Sequence, residues 1–171
     1  MAFCVMTVCT GNICRSPMAE IVLRSALLDG GLSDLVTVDS TGVSNEEHGN
    51  PVDRRARRVL LSRGYLPGDG HRARRITGRE LAEQDLVLPM TSGHANALFR
   101  LAHSSNIHTD TIRMFRSFAP SCPDALPGTA DRRLDLADPW YGGMDDFEEC
   151  LDQIEAATPG VVEFIRQQIG Q

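Results

Sequence analysis

The stretch FCVMTVCTGNICRSP, at residues 3–17, determines the fold class of this chain. The apolar run from Phe3 to Val8 predicts a short buried strand. A turn follows at residues 9–12, and Ser16-Pro17 predicts the start of a helix, which continues to about Leu28 and ends before Gly30-Gly31. A strand, a tight loop and a helix in this order are the first half of a β-α-β unit.

The rest of the 171 residues repeats the alternation of strand and helix. Further strands are predicted at 35–39, 85–88 and 111–115, and helices at 53–62, at a capping box of Thr77 and Glu80, at 93–103 and at 145–157. Thr158-Pro159-Gly160 predicts a kink or a restart before a last helical stretch at 161–168. We therefore expect a single α/β domain over 1–171, with a four-stranded parallel twisted sheet and helices on both faces.

The composition excludes several kinds of chemistry. All 17 basic residues are arginine. A chain without lysine cannot form a Walker-type phosphate loop, a pyridoxal Schiff base or a kinase-type strand lysine. A hydrophobic fraction of 42% with 23% charged residues is typical of a globular protein rather than a disordered or membrane-spanning one.

The charge distribution argues against a nucleic-acid partner. The net charge is -6, although nine arginines fall between positions 54 and 79 and nine acidic residues follow position 134. We interpret these as solvated faces of opposite sign; the alternative is a basic rim that attracts an anionic substrate. Five cysteines, without a signal peptide or a bilayer-spanning segment, predict a reduced cytoplasmic protein with no membrane partner.

The loop after the first strand is the most specific feature. Parallel sheets bind ligands beyond the carboxyl ends of their strands, so Cys9 would lie below the backbone N–H groups that open the helix. Such a cradle favours an oxyanion and also a thiolate. Gly11 and Asn12 supply the backbone freedom, Ser16 can donate a hydrogen bond to the sulfur, and the Arg15 fork fits two phosphate oxygens.

Two other interpretations of this loop remain open on the residues alone. Cys9 could be a buried structural cysteine, which is common at the end of a strand. A metal site at Cys9 and Cys14 would need a second pair of ligands with suitable spacing, and the chain offers none.

The residues 8–17, VCTGNICRSP, resemble the signature of the low-molecular-weight protein tyrosine phosphatases. The resemblance extends through VDSTGVS at 38–44, HRAR at 71–74 and DPWYGG at 138–143, and so covers nearly the whole chain. It implies a Rossmann-like fold of the phosphotyrosine phosphatase I type. It also implies hydrolysis of phosphotyrosine and small aryl phosphates through a cysteinyl-phosphate, with no cofactor and no metal.

The resemblance assigns roles to individual residues. Cys9 would be the nucleophile, Arg15 would bind the phosphate, and Asp138 would be the general acid and then the general base. Phosphate binding would fall to the rest of the loop, namely Thr10, Gly11, Asn12, Ile13, Cys14 and Ser16. Ser40 and His71 would complete a hydrogen-bond network with Asn12, although such residues are more often plain turn or surface groups.

The walls of the site set the expected substrates. Trp140 and Tyr141 would flank the slot and stack on an aryl ring, which suits phosphotyrosine-containing proteins. Glu46 stands where many relatives have a tryptophan, so one aromatic wall is missing. Inorganic phosphate and other oxyanions would bind in the same place. By resemblance, Cys14 could form a protective disulfide with the nucleophile; the alternative is a small buried side chain.

Four rival functions are less consistent with the sequence. The related arginine phosphatases carry threonine at the position of Ile13, and isoleucine there favours an aryl ester. Arsenate reductases use a similar loop but need a closely spaced cysteine pair later in the chain. A regulatory module that binds phosphate without catalysis would lack Cys9, Arg15 or Asp138. A dinucleotide-binding protein would need G-x-G-x-x-G, and this turn has Gly11 alone.

Overall fold

A computed structural model describes residues 1–171, and its elements alternate as expected. The three strands are β1 (Phe3–Cys9), β2 (Val36–Gly42) and β3 (Leu86–Pro89). The five helices are α1 (Arg15–Asp29), α2 (Arg54–Ser62), α3 (Gly78–Ala82), α4 (Ser92–Ser104) and α5 (Met144–Ile169). The predicted capping box of Thr77 and Glu80 begins α3. The long connection from α4 to α5 contains only 3-10 turns, at Phe115–Phe118, Arg132–Leu134 and Pro139–Tyr141.

The strands form one parallel sheet in the order β2-β1-β3. β1 is central and pairs with β2 along its whole length, from Phe3 opposite Val36 to Cys9 opposite Gly42. All three strands therefore end at the same edge of the sheet, and the loop that contains Cys9 emerges between its neighbours.

The predicted fourth strand at 111–115 is wrong. Only one bridge forms there, between Val87 and Ile112, through hydrogen bonds from Val87 N to Thr111 O and from Arg113 N to Val87 O. Alternate residues of β3 face this edge, so the next donor would be the backbone nitrogen of Pro89, which has no hydrogen. The ladder stops at that point, and the chain turns into the 3-10 segment that begins at Phe115.

Helices cover both faces of the sheet, because successive strand residues point to opposite sides. Val5 and Cys9 of β1 join a core of 28 buried residues that includes side chains of α1, α2 and α5. Met6 and Val8 join a smaller core with Leu81 of α3 and with residues of α4. Cys9 therefore lies on the face that α1 and α5 cover.

The predicted restart near residue 160 does not occur, because α5 runs unbroken through Pro159. Ile154, Val161 and Ile165 lie on one continuous buried stripe on both sides of the proline. Pro159 itself is on the exposed face, and the Thr158 hydroxyl donates to Ile154 O at 2.7 Å. Packing of this stripe outweighs the one backbone hydrogen bond that proline removes. No helix in the structure has the length and apolar character that crossing a bilayer requires.

Candidate active site

The loop between β1 and α1 contains four consecutive unpaired backbone amides, those of residues 11–14, which we call the amide ring. Asn12 adopts a left-handed conformation with φ 61°, which asparagine tolerates better than most residues. None of the backbone N–H groups of Gly11, Asn12, Ile13 and Cys14 donates to a backbone carbonyl. No side chain caps α1, and its first turn contains no acidic residue. The ring and the helix dipole can therefore accept a compact anion.

A chain of buried hydrogen bonds fixes this loop from below. The Cys9 Sγ lies 3.0 Å from the Ser16 Oγ, and both residues are buried. The Asn12 amide nitrogen donates to Ser16 Oγ at 2.9 Å and to Ser40 Oγ at 3.0 Å. Ser16 Oγ donates in turn to Thr41 O at 3.1 Å. The sulfur is thus oriented by a hydroxyl that the end of β2 also holds.

The same network extends outward to His71 and Glu20. A ring nitrogen of His71 lies 2.7 Å from the carbonyl of Asn12, so its N–H donates there. Ser40 Oγ donates to Glu20 at 2.5 Å. Burial raises the pKa of Glu20, against the opposing effects of the Ser40 hydrogen bond and the charge of Arg24. The left-handed turn is therefore held by polar contacts to both its side chain and its backbone carbonyl.

The Arg15 guanidinium is buried and held at three points. It donates to Leu136 O at 2.9 Å and to Thr10 Oγ1 at 3.4 Å. A nitrogen of the same group lies 3.3 Å from a carboxylate oxygen of Asp138, whose side chain is 37% exposed. Asp138 also caps the 3-10 turn that follows it, by accepting from Trp140 N at 3.1 Å. Arg15 and Asp138 thus meet beside the amide ring.

His94, in the first turn of α4, is a neighbour of this site that the sequence analysis missed. It is 5% exposed, and its Nε2 lies 2.7 Å from Thr10 Oγ1, the same oxygen that accepts from Arg15. Its Nδ1 is buried without a hydrogen-bond partner. Burial, with the positive charge of Arg15, lowers the pKa of His94 to about 3, so the ring is neutral. A lone histidine on an amphipathic helix gives no signal in the sequence.

A cavity of about 150 Å³ opens above the amide ring. Trp140 and Tyr141 line it, 44% and 86% exposed, with their rings edge to face at 4.9 Å. Glu46 and Glu47 also line it. The cavity lining is therefore partly aromatic and partly acidic.

Cys14 lies in the same loop but differs from Cys9 in its surroundings. Both thiols are free and buried. Burial raises the pKa of Cys14, and the nearby carboxylate of Asp53 and the Cys9 sulfur add to the shift. Cys14 is therefore a protonated thiol at neutral pH and a poor nucleophile.

The predicted site residues divide into two sets. Those that line the cavity are Cys9, Thr10, Gly11, Ile13, Cys14, Arg15, Glu46, Asp138, Trp140 and Tyr141. Those that lie beneath it are Asn12, Ser16, Ser40 and His71, the last two bordering a separate groove of about 850 Å³. The sequence analysis missed Glu47, His94 and Glu20, and also Arg55, which contacts the segment that carries Asp138.

Comparisons with known proteins agree on one family. A family model described as low molecular weight phosphotyrosine protein phosphatase matches residues 4–170. A low molecular weight protein-tyrosine-phosphatase of Streptomyces coelicolor is 41% identical over 169 residues, which cover 99% of this chain and 97% of that protein.

Two solved structures resemble the chain over nearly its full length. YfkJ of Bacillus subtilis has a TM-score of 0.85 and 27% identity, over 98% of this chain and 97% of its own. A protein tyrosine phosphatase of Entamoeba histolytica with Hepes in its active site has a TM-score of 0.82 and 25% identity, over 99% of both chains.

Proposed function

Because this chain belongs to the low molecular weight phosphotyrosine protein phosphatases, a family of hydrolases that work through a cysteinyl-phosphate, we propose that Cys9, Arg15 and Asp138 carry out its hydrolysis of phosphotyrosine. The observation that carries the assignment is the ion contact of 3.3 Å between Arg15 and Asp138 beside the Cys9 loop. A phosphate-binding cation, an acid and a sulfur nucleophile meet at one cavity.

The first step transfers the phosphoryl group to sulfur. The Cys9 thiolate attacks phosphorus, the S–P bond forms and the bond from phosphorus to the phenolic oxygen breaks. The free amides of Gly11 to Cys14 and the Arg15 fork stabilise the charge on the equatorial oxygens. Asp138 gives its proton to the departing oxygen, which otherwise leaves as a phenolate with a conjugate-acid pKa of about 10.

The second step returns the enzyme to its starting state. Asp138, now a carboxylate, takes a proton from a water molecule while the water oxygen attacks phosphorus. The S–P bond breaks, inorganic phosphate forms and the thiolate is released. Ser16, 3.0 Å from the sulfur, stabilises the leaving thiolate by turning its hydroxyl toward it. One carboxyl group serves as acid and then as base.

The substrates are phosphoproteins whose phosphotyrosine ring fits beside Trp140 and Tyr141. The cavity also suits inorganic phosphate and other oxyanions, and the Entamoeba relative holds Hepes, a sulfonate, in its active site. The side chains of Asn12, Ser40 and His71 would position the loop without touching the substrate. We also propose that residues 1–171 act as one catalytic domain and that the protein works in the cytoplasm, which the cysteine content favours.

Hydrolysis of aryl phosphates in the presence of a metal chelator tests these roles. We expect Cys9→Ser to abolish turnover, and Asp138→Ala to lower kcat by a factor of about 10² or more. Brief acid quenching of wild type with labelled substrate should trap one phosphate per chain on Cys9. Undiminished turnover by Cys9→Ser would refute the mechanism. Faster hydrolysis of phosphoarginine than of phosphotyrosine would refute the substrate.

A further inference from the structure

Arg55, in the first turn of α2, contacts the acid segment (residues 138–143) and, through Asp53, is linked to the loop of Cys9. One terminal nitrogen of its guanidinium donates to two carbonyls of the acid segment, Trp140 O at 3.0 Å and Gly142 O at 3.1 Å. The guanidinium carbon also lies 4.6 Å from the centre of the Phe147 ring, which is fully buried in the first turn of α5. The side chain thus bridges α2 and the start of α5.

The other side of the same guanidinium is fixed by Asp53. The Asp53 carboxylate accepts from Arg55 Nε at 3.2 Å and from its second terminal nitrogen at 3.1 Å, and it caps α2 by accepting from Arg55 N at 2.8 Å. The backbone N–H of Asp53 donates to Ile13 O at 2.8 Å, inside the loop of Cys9. One pair of residues therefore contacts both segments of the site.

The charge state of this pair supports a permanent contact. Burial acts to raise the pKa of Asp53, but hydrogen bonds from the Arg55 side chain and backbone, together with its charge, outweigh burial and leave the pKa below its ordinary value. Asp53 is thus ionised across the neutral range. Both partners are charged whenever the enzyme works.

The Arg15 contact cannot hold the acid segment during the reaction. Arg15 lies 3.3 Å from Asp138 in the structure, but it must turn to the phosphate, and Asp138 must carry a proton to act as an acid. Arg55 contacts the residue that also contacts Asp138: Trp140 N donates to the Asp138 carboxylate, and Trp140 O accepts from Arg55. Neither partner of this contact takes part in the proposed reaction, so the reaction does not require it to break.

We propose that Arg55 is a positioning residue that holds the acid segment at a fixed distance from the phosphate loop. The inference rests on the proposed role of Asp138. A displaced acid protonates the leaving oxygen less well, and the loss is greatest for basic leaving groups, which depend most on that proton. Loss of Arg55 should therefore change the leaving-group dependence of the reaction, whereas mere loss of stability lowers all rates equally.

The test compares kcat/KM for phenyl phosphate and for p-nitrophenyl phosphate, whose leaving group is more acidic. We expect Arg55→Ala to reduce the value for phenyl phosphate at least about tenfold more than that for p-nitrophenyl phosphate. Arg55→Lys, which keeps the charge but not the fork, should lie between wild type and Arg55→Ala. Arg57→Ala is the matched control, because Arg57 is on the same helix and pairs only with Asp69 at the surface. Arg57→Ala should leave the ratio of kcat/KM for the two substrates unchanged.

A second measurement tests whether Arg55 acts through Asp138. In an Asp138→Ala background, Arg55→Ala should cause no further change in the ratio between the two substrates. An equal loss on both substrates, or an additive loss in the Asp138→Ala background, would overturn the inference. If Arg55→Ala fails to fold, Arg55→Lys and Arg55→Gln give the same readout. If Asp138→Ala hydrolyses both substrates as fast as wild type does, the proposed function itself would be refuted.

Discussion

A guanidinium nitrogen of Arg15 lies 3.3 Å from a carboxylate oxygen of Asp138, so the two groups proposed for phosphate binding and proton transfer are paired with each other. Arg15 is buried, and Asp138 is more than a third exposed. The carboxylate therefore competes with an incoming dianion for the same cation and also repels it. We therefore expect the pair to influence both the affinity of the site for phosphate and the rate of the reaction.

Asp138→Asn should therefore have opposite effects on binding and on turnover. Removing the carboxylate should tighten competitive inhibition by inorganic phosphate about two- to fivefold, a modest gain because the pair is partly exposed to solvent. The same change should lower kcat about 10²-fold or more, since no acid remains. Steady-state kinetics with a phosphate titration measure both. Asp69→Asn, which breaks a surface pair with Arg57, should change neither. Weaker phosphate binding in Asp138→Asn would contradict this prediction.

The left-handed turn at Asn12 depends on both its backbone and its side chain. Asn12→Ala should destabilise the fold by about 2–4 kcal/mol, because it strains a residue at positive φ and leaves Ser40, Ser16 and the Arg74 N–H without their partner. Asn12→Gly loses the same hydrogen bonds without the strain, so it should be less destabilising. Urea unfolding of the three proteins distinguishes the two contributions. Equal losses of stability in Asn12→Ala and Asn12→Gly would show that the left-handed conformation at this position does not strain alanine.

The sequence predicted those features that depend on local order along the chain. The strand, loop and helix at residues 3–29 and the capping box of Thr77 follow from short-range patterns, and the structure contains both. The fourth strand was overpredicted because its pairing needs a backbone N–H at position 89, in a different element, and Pro89 has none. Arg55 and His94 were missed for the same reason. Their partners, at 140–142 and at Thr10, lie more than 80 residues away along the chain.

The neutral, buried ring of His94 should make the protein sensitive to acid. The folded protein does not protonate this ring until about pH 3, whereas an unfolded chain protonates it near its ordinary value of 6.5. Between these values the unfolded state binds one more proton, so His94 lowers the free energy of unfolding by about 1.4 kcal/mol for each unit that the pH falls.

A glutamine in place of His94 tests this sensitivity, because its amide can reach Thr10 but does not titrate. Denaturant unfolding gives the free energy of unfolding of wild type and His94→Gln at several pH values between 7 and 4. As the pH falls, the two free energies should converge or cross, because the variant loses less stability. An equal loss of stability with pH in both proteins would show that His94 is not responsible for the sensitivity to acid.

Gly42, at the end of β2, lies so close to the loop of Cys9 that no side chain fits. A Cβ built there would lie 2.3 Å from Thr10 O and 3.1 Å from Asn12 N, both backbone atoms that cannot turn aside. Gly42→Ala should therefore cost about 1–3 kcal/mol of stability and displace the amide ring. A displacement of about 1 Å can lower kcat/KM by about 10².

Gly93→Ala is the matched control, since its nearest neighbour would be Thr91 Oγ1 at 3.5 Å, an ordinary contact. It should keep full activity and gain up to about 1 kcal/mol, because alanine favours a helix. If Gly42→Ala keeps full activity while its unfolding midpoint falls, the position of the amide ring tolerates more movement than phosphoryl transfer is expected to allow.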